Sequence, residues 1–331
     1  MEISVIVCTY NRCLYLRNVL ESIAGCVLPD SVEWEVVIVD NNSSDRTPEV
    51  AKEFAIRYPG RFRYVFERRQ GKSHALNTGI RESRGDVLAF VDDDVTVEPT
   101  WLRNLTVPLH DKKWAGVGGR TLMAHPFSPP RWLGFGEPYF LGGILCAVFD
   151  LGDEPCELDH APYGTNMAFR RVMFEKYGGF RTDLGPSPDP DIPRPNEDTE
   201  FGRRVMAAGG QLRYEPSAIA YHPVPEDRVR KEYFLDWWFD YGRAMVREWG
   251  RKPDVWGIPR PYLSILKIGT IQMAARVMKW ITAVDPRDRF KSKCFVWMAA
   301  GEIREFYRLA RCKTKRQEGL AIPEISKADI L

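Results

Sequence analysis

The first third of the chain alternates short apolar runs with amphipathic segments. The apolar runs are bounded by turn residues, which is typical of buried strands, and they cover residues 3–8, 35–39, 62–66 and 87–91. The amphipathic segments predict helices at about residues 11–24, 47–58 and 73–81. Strands that alternate with helices favour an α/β fold with a mostly parallel sheet flanked by helices.

The pattern changes towards the C-terminus. A strand near residues 116–122, a strand ending at Phe169 and a helix from Glu197 are expected, and three helical segments follow. Residues 262–284 are apolar, but Lys267, Arg276 and Lys279 interrupt them, so a transmembrane helix is not expected. We therefore predict a first domain at residues 1–225 and an α-helical C-terminal extension at residues 226–331. That extension is expected to pack on the first domain or another subunit of a homo-oligomer, or to lie on an acidic membrane surface.

Composition narrows the classes of protein. Hydrophobic residues make up 44% of the 331 positions, which supports a substantial core. The 47 basic and 45 acidic residues nearly balance at +2, so nucleic acid is not an expected partner. The 7 cysteines form no Cys-x-x-Cys pair, which favours free thiols in a reducing compartment. With no signal peptide in the pattern, we expect a cytoplasmic protein, with peripheral attachment to the inner membrane face as an option.

Polar residues follow three of the predicted strands where each one ends. They are Thr9, Tyr10 and Asn11, then Asp40, and then Asp92, Asp93 and Asp94. In parallel α/β sheets, ligands bind beyond the carboxyl ends of the strands. Adjacent carboxylates repel one another unless a cation neutralises them, and Mg2+ or Mn2+ often arrives with nucleotide phosphates. The competing interpretation is a solvated acidic turn.

Four blocks carry a resemblance to a known family. They are residues 5–12 (VIVCTYNR), 37–45 (VIVDNNSSD), 71–77 (GKSHALN) and the acidic triplet 92–94. In order and spacing they resemble the nucleotide-sugar domain of family 2 glycosyltransferases, over about residues 1–225. The resemblance implies a GT-A fold and inverting transfer from a nucleoside-diphosphate sugar. It also implies Mn2+ or Mg2+ and a hydroxyl acceptor on a glycan, a lipid-linked saccharide or a small glycoside.

On the donor side, the resemblance assigns a base-binding carboxylate to Asp40, for which an Asx-turn cap is the alternative. Lys72 is expected to reach a phosphate or the base, unless it is a surface lysine. The triplet implies Asp92 at the ribose or the metal's water shell and Asp94 on the metal, while Asp93 fills a variable position. The remaining expected donor-side residues are Thr9, Tyr10, Asn11 (also a possible helix cap) and His222, which is either a metal ligand or structural.

On the acceptor side, the resemblance assigns the catalytic base to Asp198. Glu197 is expected to orient acceptor or sugar hydroxyls. The segment 164–166, which ends at Asn166, is expected to form a wall of the acceptor site. The alternative is that Glu197 and Asp198 merely favour the first turn of a helix, as acids do. Two other functions stay open: a non-catalytic sugar-nucleotide or glycan-binding protein, and a sugar nucleotidyltransferase. The latter normally needs a glycine-rich basic loop, which residues 9–12 do not supply.

Overall fold

The computed structural model describes residues 2–135, 139, 141–250 and 260–311. Within these ranges nine strands form one sheet. They are β1 (Ile3–Thr9), β2 (Trp34–Asp40), β3 (Phe62–Phe66), β4 (Val87–Asp92), β5 (Thr96–Val97), β6 (Trp114–Met123), β7 (Cys156–Glu157), β8 (Asn166–Arg170) and β9 (Gln211–His222). The predicted C-terminal extension therefore falls partly outside the described residues, at 251–259 and 312–331.

The helices are of very different lengths. They are α1 (Cys13–Ala24), α2 (Thr47–Arg57), α3 (Lys72–Glu82), α4 (Trp101–Thr106), α5 (Gly143–Cys146), α6 (Arg171–Tyr177), α7 (Glu197–Ala207), α8 (Lys231–Trp249), α9 (Arg260–Lys267), α10 (Met273–Thr282) and α11 (Pro286–Arg311). Short 3-10 helices lie at Val107–His110 and Glu226–Arg228, and a π-helix at Ile268–Gln272 joins α9 to α10. The three helices predicted between the first four strands are all present.

The order of strands is β3-β2-β1-β4-β8-β6-β9-β5, with β7 paired to β9. Strands β3, β2, β1 and β4 are parallel, as helical crossovers require. The sheet then becomes mixed, because β8 is antiparallel to both β4 and β6. The α/β fold is confirmed. The reversed direction of β8 matters for the site, because Asn166 pairs with Val91 and the residues just before β8 arrive beside Asp92.

Both faces of the sheet are covered, as the alternation of apolar residues in the strands dictates. Val5 and Val7 of β1 face a cluster that includes Leu16 of α1. Ile6, between them, faces the opposite cluster, which contains Phe90 and Phe201. Burying apolar side chains contributes roughly 1.5–3 kcal/mol each, so this two-sided core fixes the strand ends that carry the polar residues.

The chain divides into two units. The first comprises the described residues up to Pro126, Cys146–Ile192 and Glu197–Val224, and the second comprises those of Phe127–Leu145, Pro193–Asn196 and the region from Pro225 onward. The predicted division into a first domain at residues 1–225 and an extension at residues 226–331 stays a prediction. No helix within the described ranges has the length and apolarity to cross a membrane.

In the second unit, α8 and α11 touch through their backbones. A Cβ added to Gly242 would lie 2.1 Å from the carbonyl oxygen of Met298, and one added to Gly301 would lie 1.9 Å from that of Phe239. Next to this contact, the guanidinium of Arg247 bonds the fully buried carboxylate of Glu305 at 2.9 Å. The two helices therefore form a tightly packed, internally charge-compensated pair.

Candidate active site

The predicted rim residues lie at one edge of the sheet. Thr9 pairs with Asp40 at the ends of β1 and β2, and Cys8 pairs with Asp92 at the end of β4. Thr9 is buried, whereas Tyr10 is exposed. The sequence therefore brings the polar ends of three strands together, as the parallel arrangement requires.

The Asp40 carboxylate is fully buried and supports the loop after β2. Its Oδ1 accepts a hydrogen bond from the backbone N–H of Ser43 at 3.0 Å, so Asp40 caps the turn as the alternative expected, although the bond spans three residues and not the two of an Asx turn. Its Oδ2 accepts from the Tyr64 hydroxyl at 3.0 Å. Burial and this bond to Asp40 raise the pKa of Tyr64 to about 12. Each carboxylate oxygen has a further lone pair, so turn capping and base binding are compatible for Asp40.

Asn11 does not cap α1, so that prediction was wrong. The residue before the helix is Arg12, which makes no capping hydrogen bond through its side chain. Asn11 has a left-handed backbone with φ of 52°, a conformation that Asn tolerates better than most residues. Its Oδ1 accepts from the N–H of Ser44 at 2.7 Å. Asn11 therefore ties the loop after β1 to the loop after β2.

Lys72 is a partly buried, ion-paired lysine rather than a free surface one. Its ammonium lies 2.7 Å from Oδ1 of Asp92 and 3.3 Å from Oε1 of Glu197. Burial alone would lower the pKa of Lys72, but the carboxylates of Asp92, Glu197 and Asp198 raise it well above its usual range. Lys72 is therefore a permanent cation that joins the acidic triplet to the acidic start of α7.

The three acids of the triplet have different surroundings. Asp92 accepts from Lys72 and, through Oδ2, from the Thr165 hydroxyl at 3.0 Å. Burial works against ionisation of Asp92, yet Lys72 lowers its pKa. For Asp93, burial and repulsion from Asp94 raise the pKa to about 7. The triplet therefore concentrates more negative charge than its protein partners neutralise, which is the condition expected of a cation site.

Asp94 and His222 form the part of the site best suited to a metal. Both are buried, and Nε2 of His222 lies 3.3 Å from Oδ1 of Asp94. The Nδ1 of His222 lies 2.5 Å from the carbonyl oxygen of Pro223, and since a carbonyl only accepts, Nδ1 must carry the proton. The other ring nitrogen, Nε2, faces Asp94. This arrangement, with the far ring nitrogen bonded to a carbonyl, is typical of metal-binding histidines.

The predicted set of Asp92, Asp94 and His222 does not converge. Among the described residues, no three His, Cys, Asp or Glu side chains are placed to hold an ion together. Asp92 is turned towards Lys72, and Asp94 also receives Nη1 of Arg12 at 2.9 Å. An oxygen and a nitrogen ligand from Asp94 and His222 nevertheless fit a divalent ion whose other positions are filled by ligand oxygens or water.

The acidic pair at the start of α7 has one buried and one accessible carboxylate. Glu197 is buried, and burial together with the neighbouring Asp198 raises its pKa to about 7, although Lys72 opposes this shift. Asp198 is partly exposed. Its Oδ2 accepts from the backbone N–H of Gly164 at 2.5 Å, and its Oδ1 accepts from the N–H of Thr199 at 2.6 Å. Asp198 is thus an oriented and partly exposed carboxylate.

Comparison with known proteins decides the family. The model of glycosyl transferase family 2 matches residues 4–178, which is more than half of the chain. The protein belongs to glycosyl transferase family 2. The enzymes of family 2 transfer the sugar with inversion, and the resemblance seen in the four sequence blocks is confirmed.

Family 2 relatives and a solved structure agree with this assignment. The chain is 30% identical to the probable glycosyltransferase YdaM of Bacillus subtilis, over 68% of this chain but only 51% of the relative's length. It is 29% identical to the succinoglycan biosynthesis protein ExoM of Rhizobium meliloti, over 69% of each chain. A mannosyltransferase from Pyrobaculum calidifontis, solved with GDP-Man and Mn2+, superposes with a TM-score of 0.59 at 21% identity, covering 94% of this chain and 88% of that one. This likeness confirms the GT-A fold.

Asn166 has a structural role in this family 2 site and not the expected place facing an acceptor. It is buried in the sheet, where its amide donates to the carbonyls of Arg120 at 3.0 Å and Ala218 at 2.8 Å. Its Oδ1 accepts from the indole N–H of Trp101 at 2.8 Å. With both donors and the acceptor engaged, Asn166 holds strands together and is not available to an acceptor.

Sequence reasoning assigned no role to Arg12, and it placed Thr165 only in the segment expected to wall the acceptor site, not beside Asp92. Arg12 follows the polar end of β1, and the edge argument that placed Thr9 at the rim applies to it equally. Thr165 directly precedes β8, and only the antiparallel direction of that strand brings it to Asp92. The first residue could have been found from the sequence, whereas the second needed the topology.

Proposed function

We propose that this protein is a metal-dependent inverting glycosyltransferase that moves a sugar from a nucleoside-diphosphate sugar to a hydroxyl acceptor. The observation that carries the proposal is the position of Lys72. Its single ammonium contacts Asp92 of the triplet and Glu197, the neighbour of Asp198. The donor-side and acceptor-side acids that the family motif requires are therefore within one ion-pair network, although more than a hundred residues separate them in sequence.

On the donor side, Asp94 and His222 would hold Mn2+ or Mg2+, and the solved mannosyltransferase with GDP-Man and Mn2+ supports this choice. A bound divalent ion neutralises a diphosphate and stabilises it as a leaving group. Asp40, at the neighbouring strand end, retains lone pairs for a base N–H. Lys72 offers a fixed positive charge beside Asp92, where phosphate oxygens gain from it.

On the acceptor side, Asp198 would remove the proton from the attacking hydroxyl. The N–H groups of Gly164 and Thr199 fix the plane of its carboxylate, and such orientation is what an inverting reaction needs, since base and leaving group must lie on opposite faces of the sugar. Glu197 is buried and bonded to Lys72, so it would position the acid pair and sugar hydroxyls rather than exchange protons with bulk solvent.

A glycan is the acceptor class that we favour, with a role in polysaccharide biosynthesis. The support comes from the relative named a succinoglycan biosynthesis protein, which aligns over 69% of its length. A lipid-linked saccharide and a small glycoside are the other acceptor classes that an assay should include.

The proposal is tested in two steps. Thermal unfolding with Mn2+ and a panel of UDP-, GDP- and dTDP-sugars identifies the donor, because a ligand at 100 times its Kd adds roughly 2.7 kcal/mol of stability. Transfer from that donor is then measured for Asp198→Asn, which should lower kcat by about 10²–10⁴-fold, the usual contribution of a positioned general base. The exposed Asp30→Asn serves as control. Wild-type transfer by Asp198→Asn refutes the assignment of the base, and transfer that persists in excess chelator, with neither Mn2+ nor Mg2+, refutes the metal.

A further inference from the structure

One helical stretch of the second unit exposes a row of large apolar side chains. It runs from α9 through the π-helix to α10, over Arg260–Thr282. The row consists of Tyr262, Leu266, Met278 and Ile281, with 44%, 62%, 60% and 63% of their surfaces exposed. Isolated exposed apolar residues are common in proteins, but a contiguous apolar face on one helix marks an interaction surface.

The π-helix is what aligns this row. In an uninterrupted α-helix each residue turns about 100°, so Leu266 and Met278 would point about 120° apart. A π-helical turn holds one extra residue, which sets every later side chain back by about 100° and leaves those two only about 20° apart. The Ile268–Gln272 segment therefore converts two separate apolar patches into one stripe.

The opposite face of the same stretch packs on α11. Ile268 is buried, and Nη1 of Arg276 donates to the carbonyl of Phe295 at 3.2 Å. The rings of Trp280 and Trp297 meet edge to face at 6.3 Å. The stretch is therefore anchored on one side, and its apolar stripe faces outward from α11.

Charge indicates what covers the stripe. Residues 260–284 contain four basic side chains, Arg260, Lys267, Arg276 and Lys279, and no Asp or Glu. Lys267 and Lys279 are exposed, and on the same helical geometry they point about 115° and 135° from the centre of the stripe, both on the same side of it. An apolar stripe with a lysine border is the pattern of a helix that lies in the plane of an acidic membrane surface.

We infer that the Arg260–Thr282 stretch binds the surface of a bilayer that contains anionic lipids, with its apolar stripe in the acyl boundary and its lysines at the headgroups. A second copy of the chain fits less well, because a symmetric contact would bring the lysine border against itself with no acid in the stretch to compensate. The inference does not depend on the proposed reaction, since vesicle binding is measured without donor or acceptor.

The test is co-sedimentation of the full chain with vesicles of phosphatidylcholine alone or mixed with phosphatidylglycerol. The wild-type protein should bind the mixed vesicles and be released by salt. Lys267→Ala with Lys279→Ala should weaken that binding by about 25-fold, since each lysine near an acidic surface contributes about 1 kcal/mol, or five-fold. Leu266→Gln with Met278→Gln should weaken binding to the mixed vesicles at least about ten-fold, because the two side chains that enter the acyl boundary become polar.

Matched controls come from the first unit. Val27→Gln with Ile56→Gln also makes two exposed apolar residues polar and should leave vesicle binding unchanged. Circular dichroism confirms that each variant is folded. The inference is overturned if folded wild-type protein stays in solution with mixed vesicles, or if the control pair loses as much binding as the stripe pair. It is also overturned if sedimentation velocity shows a dimer that only the stripe variants abolish while vesicle binding is absent.

Discussion

Replacing Glu197 by Gln should change how the stability of the protein depends on pH. Glu197 is buried, and its pKa is raised from 4.5 to about 7, mainly by burial. Between pH 4.5 and about pH 7, Glu197 therefore keeps its proton in the folded protein but has released it in the unfolded chain. The contribution of Glu197 to stability is therefore fully present below about pH 4.5 and is lost as the pH rises towards 7.

The size of the effect follows from the shift in pKa. Each unit corresponds to about 1.36 kcal/mol, and integrating the shift of Glu197 between pH 5 and pH 8 gives a loss of about 2–3 kcal/mol for the wild type. Gln keeps the shape of the protonated acid and does not titrate, so Glu197→Gln should lack this loss. At roughly 2–4 °C per kcal/mol for a unit of this size, the difference amounts to about 5–10 °C in Tm.

The assay is thermal unfolding of both proteins at a series of pH values, in a chelator so that no metal binds. The informative quantity is Tm of Glu197→Gln minus Tm of the wild type, because other titrating groups cancel in it. This difference should grow from pH 5 to pH 8. Glu175→Gln, which removes an exposed acid on α6, controls for the change in net charge. Parallel curves for the wild type and Glu197→Gln would falsify the raised pKa.

Three further substitutions test other parts of the structure. Gly164→Ala places a Cβ 3.0 Å from Oδ2 of Asp198 and should lower kcat by about 10–100-fold with donor KM unchanged, because a displaced base reacts slowly. His222→Gln should raise the Mn2+ concentration for half-maximal activity at least about ten-fold, measured by Mn2+ titration. Gly301→Ala puts a Cβ 1.9 Å from the carbonyl oxygen of Phe239 and should destabilise the second unit by about 1–3 kcal/mol in thermal unfolding.

Each of these has a contradicting result, and the two glycine substitutions have matched controls. Gly25→Ala meets only ordinary contacts and should keep full activity, and Gly269→Ala, whose added Cβ lies 3.8 Å from Ile303, should keep the Tm. Unchanged kcat for Gly164→Ala contradicts the orientation of Asp198 by the Gly164 backbone. If His222→Gln needs the same Mn2+ concentration for half-maximal activity as the wild type, His222 is structural and not a metal ligand. A wild-type Tm for Gly301→Ala contradicts the backbone contact of α8 and α11.

The sequence predicted best what local patterns determine. Apolar runs and the Thr47–Pro48 helix start placed β1–β4 and the helices between them to within one or two residues, apart from the capping role given to Asn11. The rim followed from one topological rule, because parallel strands present their carboxyl ends at the same edge. The family resemblance then added a role for the acidic pair at 197–198, for which periodicity alone predicts only a helix start.

Partners distant in sequence could not be predicted. The bond from Arg12 to Asp94 joins residues 82 positions apart, and nothing local distinguishes Asp94, which receives Arg12, from Asp92, which receives Lys72. Asn166 looked like an acceptor-side amide because its burial between β6 and β9 depends on the antiparallel direction of β8. Patterns report which face of an element is buried, but not which side chain of another element meets it.

The shared ammonium of Lys72 makes proton binding and anion binding at this site reciprocal. Lys72 contacts both Asp92 and Glu197, so an anion that engages its charge weakens its hold on the Glu197 carboxylate and favours the protonated form. By thermodynamic linkage, protonation of Glu197 must then strengthen binding of that anion by the same factor. Because the pKa of Glu197 is about 7, binding near neutral pH takes up a fraction of a proton. Calorimetry in buffers of different ionisation enthalpy would measure that fraction directly.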